Sequence, residues 1–93
     1  MTHDATAVDV AAFMLKCLER DGVLYQEDIV YSIEEEFGDS FVYLNDYGNA
    51  ALKQNILSAF KKLTTDKVVW CRVSKYWRFR MLTDVPNSRF ADE

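Results

Sequence analysis

Ten side chains carry the chemistry that this sequence offers most clearly. Lys53, Gln54, Ser58, Lys61 and Lys62 fall on or beside one face of the segment after Gly48 if that segment is helical. Arg72, Lys75, Tyr76, Arg78 and Arg80 crowd the segment that follows. Lysine and arginine neutralise phosphates and release counterions, whereas glutamine and serine reach base edges. Aromatic rings interleaved with arginine stack on unpaired bases.

Charge segregation isolates this block. Met1–Asp46 holds 2 basic and 11 acidic residues, Tyr47–Arg80 holds 8 basic residues and 1 acid, and Met81–Glu93 holds 1 basic and 3 acidic residues. The net charge of -4 taken alone argues against a polyanionic partner. The asymmetry between the two halves argues for a binding face. The plainer alternative is mutual neutralisation of the halves within one small fold.

Other chemistries find less to work with. The one histidine, His3, lies at the terminus, and no Ser, Cys or Thr has a recognisable base beside it. The three glycines are isolated, so no phosphate-cradling loop is present in the sequence. Glu34, Glu35 and Glu36 are adjacent and splay around a helix, so they do not form the facing pair that acid–base hydrolysis needs. Asp39, Asn45, Asp46 and Asn49 lack the spacing of a calcium loop and suit turns. Cys17 and Cys71 are far apart, which suits two thiols in a reducing cytosol better than a disulfide scaffold. The expectation is a cytoplasmic protein with no enzymatic activity, cofactor, metal or small-molecule substrate. No stretch is apolar for long enough to span a bilayer, and Met1–Asp4 does not begin a secretory signal.

Two features count against duplex binding. Glu27 and Asp28 open the second helix, where carboxylates repel phosphate, and Leu57 sits on the face of the third helix that would read bases. That helix also lacks the arginine usual in bidentate guanine contacts. The glutamate run lies at the negative end of its helix dipole, a cost of about 0.3–1 kcal/mol per exposed residue. Either water tolerates it, or a cation from Lys61, Lys62 or another subunit offsets it.

At 93 residues the chain is one domain. A helix runs over about Ala7–Arg20, opened by Thr6 and Asp9 as a near capping box and closed by Gly22 in a left-handed C′ position. Its apolar face is Val8, Ala11, Ala12, Leu15 and Leu18, widened by Val10, Phe13, Met14 and Cys17. Val23–Tyr25 is a short strand. A second helix covers about Glu27–Phe37, stopped by Gly38 in the manner of Gly22. Phe41–Leu44 is β-prone, and Asn45–Asn49 is a turn cluster. Asn49 caps a third helix that continues to Leu63 or Thr64, burying Leu52, Ile56, Ala59, Phe60 and Leu63. Val68–Val73 and Tyr76–Met81 form a hairpin with Trp77, Phe79 and Met81 on its buried face. Its turn at Ser74 and Lys75 lacks an Asn-Gly signature, so the loop is four residues or bulged. Residues 82–93 are expected to form a flexible tail, in which Phe90, a lone aromatic, can anchor onto a neighbour.

The order helix, strand, helix, helix, hairpin resembles a winged helix-turn-helix domain over Ala5–Met81. The runs Phe37–Asn49, Ala59–Leu63 and Val68–Trp70 are similar to an uncharacterised small bacterial and phage family carried on mobile elements and gene cassettes. The resemblance implies an α+β winged-helix fold and no functional residue. The expected function is a non-enzymatic module that contacts nucleic acid through the third helix and the wing. The alternative is a protein-interaction or homodimer module on the same fold, its basic block docking on an acidic surface.

Overall fold

In a computed structural model that describes residues 5–65, 67–81 and 90–91, the first helix begins where Thr6 and Asp9 exchange hydrogen bonds. The Asp9 backbone N–H donates to Thr6 Oγ1 at 3.2 Å, and the Thr6 N–H donates to Asp9 Oδ2 at 2.8 Å. This is a complete capping box with aspartate in the usual Glu position. The helix, α1, spans Ala7–Asp21. Gly22 ends it at φ 81°, ψ -18°, its N–H bonded to the Leu18 carbonyl at 2.7 Å.

The buried face of α1 is Val10, Ala11, Met14, Cys17 and Leu18. Val8 and Ala12, expected inside, are exposed, and Leu15 is half-buried. Two overlapping sets of apolar residues share helical spacing in this segment. Packing against α3 selects the set that begins at Val10.

Strand β1, Val23–Tyr25, leads directly into helix α2, Gln26–Phe37. Ile29, Val30 and Ile33 are buried, and Phe37 meets Phe13 edge-on at 5.5 Å. Gly38 stops α2 differently from Gly22. Its φ of 85° and ψ of -173° place it in a region essentially reserved for glycine. A 3-10 turn over Asp39–Phe41 follows.

The structure departs most from the expected third helix at its start. Ala50–Leu52 is a strand, not the first turn of a helix. It forms β3 and pairs antiparallel with β2, Val42–Leu44, in the register Val42↔Leu52, Tyr43↔Ala51 and Leu44↔Ala50. The Lys53 N–H extends the pairing by donating to the Phe41 carbonyl at 3.1 Å. These lateral bonds hold the chain extended, so helix α3 spans only Gln54–Leu63. Lys53 is its N-cap, and Asn49 lies back in the β2–β3 turn. Ile56 and Phe60 are buried on α3, Leu57 and Ala59 are half-buried, and Leu63 is exposed. Leu52 is buried as expected, though from a strand.

Strands β4, Val68–Cys71, and β5, Tyr76–Phe79, form the expected hairpin, joined by the four residues Arg72–Lys75. β1 pairs with β5, so the sheet order is β1-β5-β4-β6, where β6 is Phe90–Ala91, parallel to β4. The rest of the expected flexible tail, 82–89 and 92–93, lies outside the described residues. The protein is therefore α+β, with three helices and two small sheets among the described residues.

One core lies between the helices and the inner face of the larger sheet. Trp77 is buried there, Phe60 meets it at 5.4 Å, and Trp70 lies tilted against it at 4.5 Å. The alternation expected along β5 holds at Trp77 and fades toward the strand's end, where Phe79 and Met81 are exposed. Val69, Cys71 and Tyr76 make a second, smaller cluster.

Candidate functional site

Helix α3 presents Gln54, Leu57, Ser58 and Lys61 at intervals of three and four residues, which puts them on one stripe. The stripe lines a groove of about 420 Å³ whose other side includes Trp70 and Trp77. Gln54 Nε2 donates to Ser58 Oγ at 3.3 Å, so two polar groups one turn apart are linked along the groove. Leu57, expected as an awkward exposed residue on a base-reading face, is half-buried and packs against the core.

A second cleft, of about 500 Å³, opens where three elements converge. They are the β1–α2 junction, the β2–β3 turn and the β4–β5 loop. Tyr25, Asn45, Tyr47, Asn49 and Lys75 line it, and Gln26 lines both this cleft and the α3 groove. Local hydrogen bonds set each wall. Asn45 Oδ1 accepts from the N–H groups of Tyr47 at 2.9 Å and Asn49 at 3.0 Å. The Gly48 N–H donates to the Asn45 carbonyl, and the Asn45 N–H to that of Asn49, both at 2.9 Å. That pattern, with Gly48 at φ 79°, is a hairpin closed by a G1 bulge. Tyr25 is pinned by its ring contact with Tyr76 at 5.0 Å.

Lys75 is the one non-glycine residue with positive φ, 58°, among the described residues. A side chain in this conformation costs about 1–2 kcal/mol. Two backbone bonds hold it there: its N–H donates to the Cys71 carbonyl at 2.9 Å, and its carbonyl accepts from the Gln26 N–H at 3.0 Å. The β4–β5 loop is thereby fastened to the start of α2.

The ten expected site residues do not share one surface. Gln54, Ser58 and Lys61 face the groove, and Lys75 faces the second cleft. Lys53 is exposed just before α3, and Lys62 is exposed in its last turn, outside the groove lining. Tyr76 and Arg78 flank Trp77 on β5, so the strand's alternation sends them to the sheet's other face. Arg72 is exposed in the loop, and Arg80 is half-buried beyond β5, its N–H bonded to the Lys67 carbonyl at 2.8 Å. Arg72, Arg78 and Arg80 all engage neighbours within the chain. One such contact is Arg78 Nη1 donating to the Phe79 carbonyl at 3.1 Å.

Sequence reasoning passed over Gln26, Tyr25 and Tyr47. Tyr47 carried a signal, because an aromatic side chain inside a cluster of turn formers has no turn-forming role of its own. Gln26 carried none: its position follows from β1 running into α2 without a linker.

The carboxylates remain unmatched by the α3 lysines. Glu34, Glu35 and Glu36 are exposed, and the ion pair among the described residues is Arg20 with Asp21, at 2.9 Å. Lys61 and Lys62 thus do not offset the glutamate run within the chain, and their charge suits the C-terminal end of their own helix. The guanidinium of Arg20 holds the Asp21 carboxyl below its ordinary range. Cys17 and Cys71 are free, buried thiols. Burial pushes the Cys17 thiol up, with Arg20 opposing, and so favours the protonated, unreactive form. Among the described residues no three His, Cys, Asp or Glu side chains are grouped to hold a metal, and no helix is long and apolar enough to cross a membrane.

No curated protein and no solved structure matches this chain. Residues 6–79 match the model of a family described as a family of unknown function (DUF6953). That span covers all three helices and both hairpins, and the chain belongs to this family.

Proposed function

We propose that this chain is a non-enzymatic binding module of winged-helix type that contacts nucleic acid through α3 and the β4–β5 ribbon, its wing. One observation carries the reading: the Gln54–Ser58–Lys61 stripe lines an open groove opposite the ribbon, with Lys75 beyond it in the ribbon's loop. The pairing of β1 with the second hairpin strand supports the winged-helix assignment. The half-burial of Leu57 removes one objection to the α3 face, while Glu27 and Asp28 at the start of α2 keep the other. The phosphate-facing charge belongs to Lys53, Lys61, Lys62 and Lys75, all exposed and none in an ion pair among the described residues. Two free thiols suit a reducing compartment such as the cytosol.

Fluorescence anisotropy with labelled oligonucleotides at low salt tests the reading. Lys61→Glu is expected to weaken binding at least tenfold, whereas Lys16→Glu, on α1 and in neither cleft, leaves it within twofold. Absence of any signal up to tens of micromolar removes the reading, because even non-specific binders reach about 10⁻⁴–10⁻⁶ M.

A second reading rests on the exposed, unpaired Glu34–Glu36 run. It offers the α3 lysines of another copy an acidic surface, which makes the chain a self-association module. Sedimentation mass that rises with concentration and falls with salt is its expected signature.

A further inference from the structure

The cleft beside the β4–β5 loop has a chemistry unlike that of the α3 groove. The groove offers a lysine and small polar groups to a backbone or a base edge. The cleft offers two phenol rings, Tyr25 and Tyr47, and the amides of Gln26 and Asn49, while the Asn45 oxygen is taken up by its own turn. Glu27 is also in its wall, and no ion pair joins it to Lys75.

We infer that this cleft receives an unpaired nucleobase, so that the module's ligand is single-stranded or locally opened nucleic acid. The inference rests on the nucleic-acid reading and narrows its substrate. Four observations converge on it. First, the volume, about 500 Å³, lies within the ~300–1,000 Å³ of small-ligand sites. Second, the aromatic walls are open to a ligand. Tyr47 is 90% exposed at the tip of a hairpin whose turn is closed by Asn45, and Tyr25 is 44% exposed while pinned against Tyr76. An exposed ring gains stacking energy from a base and contributes little to the fold.

Third, the polar lining suits a base more than a phosphate. The Glu27 carboxylate repels an anion but accepts a hydrogen bond from an exocyclic amine, and side-chain amides both donate and accept. A cleft for phosphate alone would not place a carboxylate in its wall. This gives Glu27 a role, where for duplex binding it is only an obstacle. Fourth, Lys75 sits at the cleft with its backbone in a conformation that glycine fills at lower cost. A lysine kept there places an ammonium beside the cleft, where the phosphate attached to a captured base would lie. Gln26 joins the cleft to the groove, so a strand tracked by Lys61 passes the base site.

The test compares a short oligodeoxycytidylate at neutral pH, whose bases carry exocyclic amines, with a mixed-sequence duplex of equal length. Three proteins are used: wild type, Tyr47→Ala and Lys61→Glu. Tyr47→Ala is expected to weaken single-strand binding about 5- to 150-fold, the range of one lost base–aromatic stack, and to leave duplex binding within twofold. Lys61→Glu is expected to weaken both. If wild type binds and Tyr47→Ala changes neither affinity, or both equally, the base site is overturned while the nucleic-acid reading survives. If wild type binds neither oligonucleotide, both fall together. Circular dichroism of Tyr47→Ala confirms that the fold is intact, as expected for a side chain this exposed.

Discussion

The two hairpins reverse the chain by similar means and for different ends. Each closes on a residue at positive φ: Gly48 at 79° between β2 and β3, and Lys75 at 58° between β4 and β5. The turn of the first hairpin is held by local bonds, while Ala51 and Leu52 anchor its base in the interior. Asn45 satisfies the backbone of its own turn, while Tyr43, Leu44 and Tyr47 remain exposed. The second is held by the core, through Trp77 packed on Phe60 and Trp70. Strands fixed by tertiary packing tolerate an unfavourable turn residue between them. The β4–β5 loop can therefore carry a lysine where turn chemistry calls for glycine or asparagine. Such a local violation, sustained by surrounding structure, is characteristic of functional positions.

Substitutions can separate the two modes of support. Trp77→Ala is expected to have the largest effect, about 3–5 kcal/mol of lost stability by urea unfolding, because it empties the centre of the core. An effect below about 1 kcal/mol would mean that packing does not hold the second hairpin. Asn45→Ala is expected to cost about 1–2 kcal/mol, from two side-chain bonds to backbone. Amide exchange should speed up in β2 and β3 and stay slow in β4 and β5, and uniform loss of protection would contradict the independence of the ribbons. Lys75→Gly is expected to raise stability by about 0.5 kcal/mol, the relief of a left-handed lysine less the entropy of a glycine. Oligonucleotide affinity should fall in the same variant. A gain in stability with unchanged affinity would leave the strained lysine without a purpose. Smallest of all, Tyr47→Ala should change the unfolding midpoint by less than about 0.5 kcal/mol equivalent, as surface substitutions do.

The same contrast explains which parts of the fold could be read in the sequence. The β4–β5 hairpin was legible because Val68, Val69, Trp70 and Trp77 are β-prone residues whose burial agrees with their propensity. The start of α1 was legible because Thr6 and Asp9 form a purely local motif. The β2–β3 ribbon was hidden. Ala50, Ala51 and Leu52 are good helix formers, and Leu52 continues the apolar spacing of Ile56 and Phe60. Only the turn from Asn45 to Gly48, folding the chain back onto Val42–Leu44, overrides that preference. Gly38 shows a finer limit. Sequence marks it as a helix stop, but its extended ψ depends on the 3-10 turn that follows.

The site was legible in part for the same reason. Gln54, Ser58 and Lys61 share a face by helical spacing alone, and they do line the groove. Tyr76 and Arg78 were assigned to the wing, and the alternation that turns Trp77 inward puts them on the sheet's other face, away from the groove. The cleft is built from three loops and junctions distant in sequence, and no spacing rule connects Gln26, Tyr47 and Lys75.

A salt titration of binding by anisotropy weighs the proposed interface in a single number. With Lys53, Lys61, Lys62 and Lys75 as the phosphate contacts, log K should fall linearly with log salt with a slope of about -3 on single strands. Lys61→Glu should flatten that slope by roughly one unit. A slope near zero, or one that Lys61→Glu leaves unchanged, would mean that the α3 face does not meet a polyanion.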